Sequence, residues 1–220
     1  MYRVLQILNA QEVEESRKIA STTQFVDGRA SNPHHKAKQN EQLSEPTAYQ
    51  KSSDIFRQAL LRSPEFMEFA FPVAMAPPMM TRYKPGMKYG AHADAAFIQL
   101  PGATIRSDLS CTIFLNDPAD YEGGELHVRL GDADLKFKLK PGEAIVYPSD
   151  SLHQVIPVTK GERLVAITFI QSRIQDPFRR YMLFELNEVA ALEGLKMDTE
   201  NFNRLQLVQQ NLLRYWSDMP

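Results

Sequence analysis

Short β-like runs separated by turn residues fill the middle of this chain, from about residue 73 to residue 173. The runs cover residues 79–83, 109–115, 125–130, 134–139, 143–147 and 164–170. Most are followed at once by a turn that contains glycine or proline, and no crossover-helix pattern separates them, which argues against a parallel βαβ sheet. Regularly spaced short strands of this kind are typical of a double-sheet jelly roll.

Helical patterns flank the β region on both sides. Before it, the sequence predicts a strand over residues 2–8, a helix that begins after Asn9 as N-cap, a polar loop over 27–46, and helices over 49–61 and 65–71. After it, a predicted helix carries apolar residues on one face, and this face is expected to pack on the barrel or on a second copy of the chain. These residues are Leu205, Val208, Leu212, Leu213 and Trp216.

Together the patterns predict an α+β fold in three parts. Residues 1–72 form an N-terminal strand and helix segment that packs on the core, residues 73–173 form the jelly-roll (double-stranded β-helix) core, and residues 174–220 form a helical C-terminal extension. The apolar face of the extension makes a homodimer one expected assembly.

The composition argues against several classes of function. With 43% hydrophobic residues and 24% charged residues, the chain can supply an ordinary globular core. A net charge of −2 offers no electrostatic footprint for nucleic acid or an anionic membrane, and no apolar run is long enough to span a bilayer. The one cysteine, Cys111, rules out an internal disulfide and is expected to be a small buried residue of a strand rather than a catalytic thiol. Because the chain also begins without the pattern of a signal peptide, we expect a cytoplasmic protein.

His92 and Asp94 form an H-x-D pair, the feature that says most about chemistry. Alternate residues of a strand point to the same side, so an extended segment would turn both side chains into one cavity. His153 begins a later β-like run and can meet them at one end of a jelly roll. Two imidazoles and one carboxylate form the facial set that holds non-haem Fe(II) and leaves three positions open. Arg163, ten positions after His153, supplies a cation for a carboxylate-bearing co-substrate of that metal.

Zinc is the alternative metal for such a set. Zinc sites with two histidines and one carboxylate more often place both histidines on one helix in H-E-x-x-H, and the chain contains no such motif. The pattern therefore favours iron. The other histidines, His34 and His35 in the polar loop and His127 in the 125–130 run, are not expected to be ligands.

The residues around these positions resemble a known family. The segment from Tyr83 to Asp94, YKPGMKYGAHAD, is similar to the metal-binding start of the prolyl 4-hydroxylase type of Fe(II)/2-oxoglutarate dioxygenases. The motifs SCTIFLN, GGEL and PG, then His153 and GER ending at Arg163, follow in that family's order. Within the family, the QS pair at 171–172, the helical extension and DGRA at 27–30 resemble the bacterial PKHD-type hydroxylases.

The resemblance implies a role for each of these residues. His92, Asp94 and His153 would ligate Fe(II). Arg163 would pair with the distal carboxylate of 2-oxoglutarate, the Tyr83 hydroxyl would help to hold that carboxylate, and Leu126 would form an apolar wall. The implied reaction uses O2 to hydroxylate a substrate while 2-oxoglutarate is decarboxylated to succinate, with L-ascorbate as reductant.

Two positions depart from the family pattern. Phe114 stands where some relatives have a tyrosine, and Ile167 stands where some have a threonine. Fewer hydroxyls would then reach the co-substrate, so Tyr83 and Arg163 would carry more of its binding.

The sequence leaves two other functions open. A cupin-like metal-dependent hydrolase or isomerase would share the β scaffold without needing Arg163, and a non-catalytic iron-binding module would keep the three ligands alone. For the substrate, we expect residues 95–107 and part of 27–46 to line the pocket. The resemblance allows a small molecule, a siderophore or a peptide.

Overall fold

Two antiparallel sheets packed face to face form the centre of the computed structural model, which describes residues 1–30 and 37–218. The strands are β1 (Arg3–Gln6), β2 (Phe25–Asp27), β3 (Lys38–Gln39), β4 (Glu41–Leu43), β5 (Pro72–Met75), β6 (Met79–Tyr83), β7 (Lys88–His92), β8 (Phe97–Leu100), β9 (Ala103–Arg106), β10 (Leu109–Phe114), β11 (Tyr121–Gly123), β12 (Leu126–Leu130), β13 (Ala133–Phe137), β14 (Glu143–Pro148), β15 (His153–Val155), β16 (Val158–Gly161) and β17 (Arg163–Ser172). The eight-stranded sheet has the order β1-β14-β10-β17-β6-β4-β2, with β5 also paired to β17, and the five-stranded sheet has the order β13-β12-β15-β7-β3. Hence the predicted jelly roll is confirmed.

Strand β10 shows how the sequence divides the core between two faces of the larger sheet. All six of its residues are buried, between neighbours β14 and β17. Leu109, Cys111 and Ile113 belong to the cluster that packs against the helices, whereas Phe114 belongs to the cluster between the two sheets. Because side chains alternate along a strand, Ser110 and Thr112 also face the second sheet, where the candidate site lies.

The helices cover the outer face of the larger sheet and continue into the C-terminal extension. They are α1 (Ala10–Thr22), α2 (Pro46–Arg62), α3 (Pro64–Ala70), α4 (Pro177–Glu193) and α5 (Thr199–Trp216). Asn9 caps α1 as predicted, through a capping box in which its side chain accepts from the Glu12 N–H and the Glu12 side chain accepts from the Asn9 N–H. The structure begins α2 at Pro46 rather than at residue 49, because the Glu45 side chain caps it.

The prediction of a polar loop over residues 27–46 is wrong for two short segments, 38–39 and 41–43. Strands β3 and β4 lie within it, and both add to sheet edges, β3 beside β7 and β4 beside β6. Such edge strands are short and polar, so their local sequence carries no strong strand pattern. The pairing is instead fixed by distant partners: Glu41 lies opposite Arg82 and forms an ion pair with it. Residues 31–36, with His34 and His35, lie outside the described residues.

The C-terminal helices pack in series on the core. Phe184 of α4 meets Phe69 of α3 edge-on, with ring centroids 5.6 Å apart, and α5 packs on α4. The predicted apolar face of α5 is only partly covered: Leu205, Leu212, Leu213 and Trp216 are half-buried, and Val208 is exposed. Among the described residues, no helix combines the length and the apolar character needed to cross a membrane.

Candidate metal centre

The structure brings His92, Asp94 and His153 together between the sheets. His92 ends β7 and lies opposite His153, which begins β15, so the strand pairing itself sets the two imidazoles side by side. Their Nε2 atoms lie 3.8 Å from Asp94 Oδ1 and 3.6 Å from Asp94 Oδ2, respectively. All three ligand atoms fall within 4.8 Å of one another, and both histidines are buried. This spacing allows one ion to reach all three side chains.

Asp94 reaches the cluster in a different way from the one predicted. Strand β7 ends at His92, so Asp94 lies in the following loop rather than on the same strand. Its backbone N–H donates to the Ser149 carbonyl at 3.3 Å, and its Oδ2 accepts from the Ser110 hydroxyl at 2.5 Å. The placement of the carboxylate therefore depends on β10 and on the segment after β14, not on strand alternation.

Backbone carbonyls fix the orientation of both imidazoles. His92 Nδ1 lies 2.7 Å from the Gly90 carbonyl oxygen, and His153 Nδ1 lies 2.9 Å from that of Ser151. Because a carbonyl only accepts, each Nδ1 carries the proton and each Nε2 presents a lone pair toward the cluster. Tyr89 further holds the His92 ring by stacking on it, with centroids 3.7 Å apart.

Without a nearby cation, burial makes the ionised form of the Asp94 carboxylate unfavourable. Burial raises its pKa from the ordinary value, and this outweighs the lowering by His153, by the Ser110 hydrogen bond and by Lys38. A divalent ion among the three side chains would compensate the buried negative charge. Hence the electrostatics of the cluster favour a metal ion as its occupant.

A hydrogen-bonded chain of serine hydroxyls ends at the Asp94 carboxylate. The Ser110 hydroxyl donates to Asp94, so its own oxygen accepts from Ser149 at 2.8 Å, and Ser149 in turn accepts from Ser107 at 2.9 Å. All three serines are buried. Hydrogen-bonding partners of this kind fix the direction of a ligating carboxylate.

Replacing Ser110 with alanine is therefore expected to weaken metal binding. Loss of such a supporting partner typically costs about 10- to 100-fold in metal affinity. Calorimetric titration of the metal-free Ser110→Ala protein with Co(II) measures this change. Ser107→Ala serves as the matched control, since Ser107 stands three hydrogen bonds from Asp94 along the chain of hydroxyls and should have a smaller effect. Equal metal affinities for the Ser110→Ala and wild-type proteins would show that the serine hydroxyls do not support Asp94 as a ligand.

A narrow cavity leads from the cluster to Arg163. Its lining includes all three residues of the cluster together with Arg163, Tyr83 and Leu126. Arg163 is 1% exposed, and its guanidinium carbon lies 5.0 Å from the centroid of the Tyr83 ring and 5.4 Å from that of Phe114. Its buried Nε has no hydrogen-bond partner among the described residues. A buried donor of this kind suits an anionic ligand.

Asn40 directs the hydroxyl of Tyr83. The Asn40 Nδ2 donates to the Tyr83 oxygen at 3.1 Å, which leaves the Tyr83 O–H to donate elsewhere. Burial raises the pKa of Tyr83, and the hydroxyl stays protonated at neutral pH. Tyr83 is therefore suited to donate to a carboxylate at Arg163.

The hydroxyls missing at two family positions have counterparts nearby. Phe114 packs against Arg163, and Ile167 lines the narrow cavity, as the departures predict. Thr112 and Tyr147 line the same cavity and carry hydroxyls. Neither residue is among the candidates predicted from the sequence. Thr112 could have been found, since it lies two residues before Phe114 on the same face of β10. No local signal marks Asn40.

Replacing Tyr83 with phenylalanine tests the direction of this hydroxyl. A hydrogen bond to a charged group contributes about 1.5–3 kcal/mol, so the dissociation constant for 2-oxoglutarate should rise about 10- to 150-fold. Calorimetry on the Ni(II)-loaded protein measures it. Tyr121→Phe is the matched control, because Tyr121 is buried near Arg163 but does not line the cavity. If Tyr83→Phe and Tyr121→Phe bind 2-oxoglutarate with equal affinity, the Tyr83 side chain acts only in packing.

The remaining candidates stay outside the cluster. His127 lies in β12 and is not part of the metal-ligating group found among the described residues. Burial raises the pKa of Cys111 to about 12, so its thiol stays protonated and acts as a small apolar group, as predicted.

Comparison with known proteins agrees with this geometry. Residues 78–171 match the 2OG-Fe(II) oxygenase superfamily. A PKHD-type hydroxylase of Sphingopyxis alaskensis is 57% identical over 216 residues, which cover 98% of this chain and 99% of that protein. Another, of Nitrobacter winogradskyi, is 40% identical over 218 residues, which cover 96% of both chains.

Solved structures share the fold at low sequence identity. A prolyl-4-hydroxylase of Pseudomonas putida has a TM-score of 0.53 and 20% identity, over 77% of this chain and 92% of that one. HygX from Streptomyces hygroscopicus, solved with nickel and 2-oxoglutarate bound, has a TM-score of 0.53 and 13% identity, over 79% of this chain and 84% of that one. The fold is thus shared with these oxygenases, while the two near-full-length sequence matches decide the family. The chain belongs to the PKHD-type hydroxylases of the 2OG-Fe(II) oxygenase superfamily.

Proposed function

We propose that this hydroxylase holds Fe(II) with His92, Asp94 and His153 and takes 2-oxoglutarate with its distal carboxylate at Arg163. The observation that carries the proposal is that one narrow cavity is lined by all four residues. When bound, the iron supplies the O2 chemistry that couples decarboxylation of 2-oxoglutarate to succinate with hydroxylation of a substrate.

The donor atoms support both parts of the proposal. Two neutral imidazole nitrogens and one carboxylate are the set typical of a non-haem Fe(II) oxygenase, and they leave other positions open for co-substrate. Arg163 offers a planar fork that can bind both oxygens of a carboxylate, which a lysine could not do. HygX, which shares the fold, was solved with 2-oxoglutarate and nickel bound.

The walls around Arg163 keep bulk water away from the bound co-substrate. Leu126, Phe114 and Val155 are buried in the cluster between the sheets, so a salt bridge formed there is screened little by solvent. Tyr83, with its oxygen fixed by Asn40, adds one donor to the two or more that Arg163 provides. These residues bind and orient the co-substrate and need not exchange protons with it.

The test is a metal-dependent succinate assay. The protein is stripped with a chelator and given Fe(II), Zn(II) or Mn(II) with 2-oxoglutarate in air, and succinate is followed by NMR. We expect slow uncoupled succinate release with Fe(II) alone. Hydrolase activity that depends on zinc or manganese would favour the cupin-like alternative, and tight Fe(II) binding without succinate would favour a non-catalytic module.

We further propose L-ascorbate as reductant, a cytoplasmic location, the three-part division 1–72, 73–173 and 174–220, and a homodimer. The single cysteine, which is free and buried, suits a reducing compartment. Exposed Leu207, Val208 and Tyr215 on α5, the last 82% exposed, support the homodimer. Light scattering gives the molar mass in solution, which should be that of a dimer. Addition of ascorbate to the assay should increase succinate release.

A further inference from the structure

The DGRA segment, residues 27–30, lies against Asn40. Strand β2 pairs with β4, with Asp27 opposite Glu41, and the pairing continues one residue further: the Gly28 N–H donates to the Asn40 carbonyl at 2.8 Å. Asn40 itself stands between β3 and β4, which belong to different sheets. Gly28 is therefore placed beside the residue whose amide donates to the Tyr83 oxygen.

Gly28 packs so closely on Asn40 that a side chain has no room there. Both residues are buried. A Cβ atom added to Gly28 would overlap Asn40 Oδ1 and would lie 2.9 Å from Asn40 Cγ and 3.0 Å from the Asn40 carbonyl oxygen. Carbon atoms in favourable contact are about 3.5–4.0 Å apart. The Asn40 amide would therefore have to turn away from any residue larger than glycine.

This contact also fixes the orientation of the Asn40 amide. Its Nδ2 donates to the Tyr83 oxygen at 3.1 Å, whereas its Oδ1 has no hydrogen-bond partner in the part of the chain that the structure describes. On the Oδ1 side, the amide is therefore held by packing, and Gly28 supplies that packing. Because the amide group is planar and rigid, a displacement of Oδ1 also moves Nδ2 away from Tyr83.

We propose that Gly28 and Asn40 are positioning residues for the co-substrate. The missing side chain of Gly28 allows Asn40 to hold the Tyr83 oxygen, and Asn40 in turn directs the Tyr83 hydroxyl toward the distal carboxylate of 2-oxoglutarate. This inference rests on the proposed function, because it takes that carboxylate to bind at Arg163.

The donor from Asn40 determines how the Tyr83 hydroxyl can be used. A phenol has one proton to donate, and its oxygen can accept at the same time. While the oxygen accepts from Asn40, the O–H is left for the ligand. Tyr83 is only 4% exposed, so solvent is a poor substitute for Asn40. The hydrogen bond thus orders the hydroxyl before the ligand arrives, and such preorganisation lowers the cost of binding.

Calorimetric titration of the Ni(II)-loaded protein with 2-oxoglutarate tests the inference. Asn40→Ala removes one neutral hydrogen bond and Gly28→Ala displaces it, so each should raise the dissociation constant about 2- to 12-fold. In the Tyr83→Phe background, neither substitution should raise it further, because the hydroxyl that both residues orient is gone.

2-Oxopentanoate is a matched ligand that separates positioning from general damage to the site. It carries the same 2-oxo acid group for the metal but has a methyl group in place of the distal carboxylate. Its affinity should be the same in the wild type, Asn40→Ala and Gly28→Ala. An equal loss of affinity for both ligands would show that the substitutions disturb the whole site, and would overturn the inference.

Gly194→Ala is the matched control for the added methyl group. Gly194 is also buried, and a Cβ atom there would lie 2.8 Å from Cε2 of Phe202 in the C-terminal extension. This variant should melt at a lower temperature and bind 2-oxoglutarate as the wild type does. Gly28→Ala should also melt at a lower temperature, and the decrease should be smaller in the Asn40→Ala background, where the overlapping amide is absent.

Failure of this inference is distinguishable from failure of the proposed function. A wild-type protein that does not bind Ni(II) and 2-oxoglutarate would reject the proposed function. If the wild type binds both and Gly28→Ala binds 2-oxoglutarate equally well, or if its effect persists in the Tyr83→Phe background, the positioning role is wrong. A higher affinity in Asn40→Ala would mean that Tyr83 donates to Asn40, which would also overturn the inference.

Discussion

Replacing Asp94 with alanine should abolish tight metal binding and with it all succinate production. Asp94 is the only carboxylate of the metal-ligating group found in the described chain, and removing one partner of a buried charge interaction costs roughly 3–5 kcal/mol. That corresponds to an increase of about 150- to 5000-fold in the dissociation constant for Fe(II). The effect should exceed that of Ser110→Ala, which keeps the ligand and removes only its support.

The same substitution should leave the metal-free protein about as stable as before. Burial raises the pKa of Asp94, so its negative charge opposes folding in the absence of metal, and its loss offsets the lost hydrogen bond from Ser110. Anaerobic titration with Fe(II) and thermal unfolding of the metal-free protein measure the two effects separately. His127→Ala is the control, because His127 lies in β12, the strand paired with β15, opposite Gln154 and outside the cluster. Retained turnover in Asp94→Ala would refute the assignment of this ligand.

The parts of the site that lie on central strands could be predicted from the sequence. Arg163 and Tyr83 lie opposite each other in the register of β17 and β6. Strand β17 carries a long apolar run, and β6 is a short β-like run that ends at a Lys-Pro-Gly turn, so the sequence shows both strands directly. His92 and His153 are likewise paired across neighbouring strands. Here the local pattern and the tertiary pairing agree, so the alternation of side chains is enough to place each residue.

The parts that lie on edges and in loops could not be predicted in the same way. Asn40 and Lys38 are in the stretch that the sequence predicts to be a loop, and only pairing with β6 and β7 makes it extended. Asp94 follows the end of β7, where its direction is set by Ser110 and Ser149 from other parts of the chain. Contacts between residues far apart in sequence determine these positions, and no window of local sequence contains them.

Replacing Arg163 with methionine should separate ligand binding from folding. We expect the variant to lose the rise in melting temperature that 2-oxoglutarate gives the Ni(II)-loaded wild type. Saturation at 100 times the dissociation constant stabilises a protein by about 2.7 kcal/mol, which is roughly 5–10 °C for a chain of this size. Without 2-oxoglutarate, the melting temperature should stay equal or rise, because methionine fills the apolar space beside Tyr83 and Phe114 without a buried charge.

Arg180 supplies the matched control for that experiment. It is also a buried arginine, but it lies in α4, and its Nη1 donates to the Ile174 carbonyl at 2.9 Å. Arg180→Met leaves this buried carbonyl without its donor, so it should lower the melting temperature while keeping the full response to 2-oxoglutarate. Arg163→Met should therefore lose the response to 2-oxoglutarate and keep its melting temperature, whereas Arg180→Met should keep the response and melt at a lower temperature. A full response to 2-oxoglutarate in Arg163→Met would show that the distal carboxylate binds elsewhere, and the co-substrate pocket would have to be reassigned.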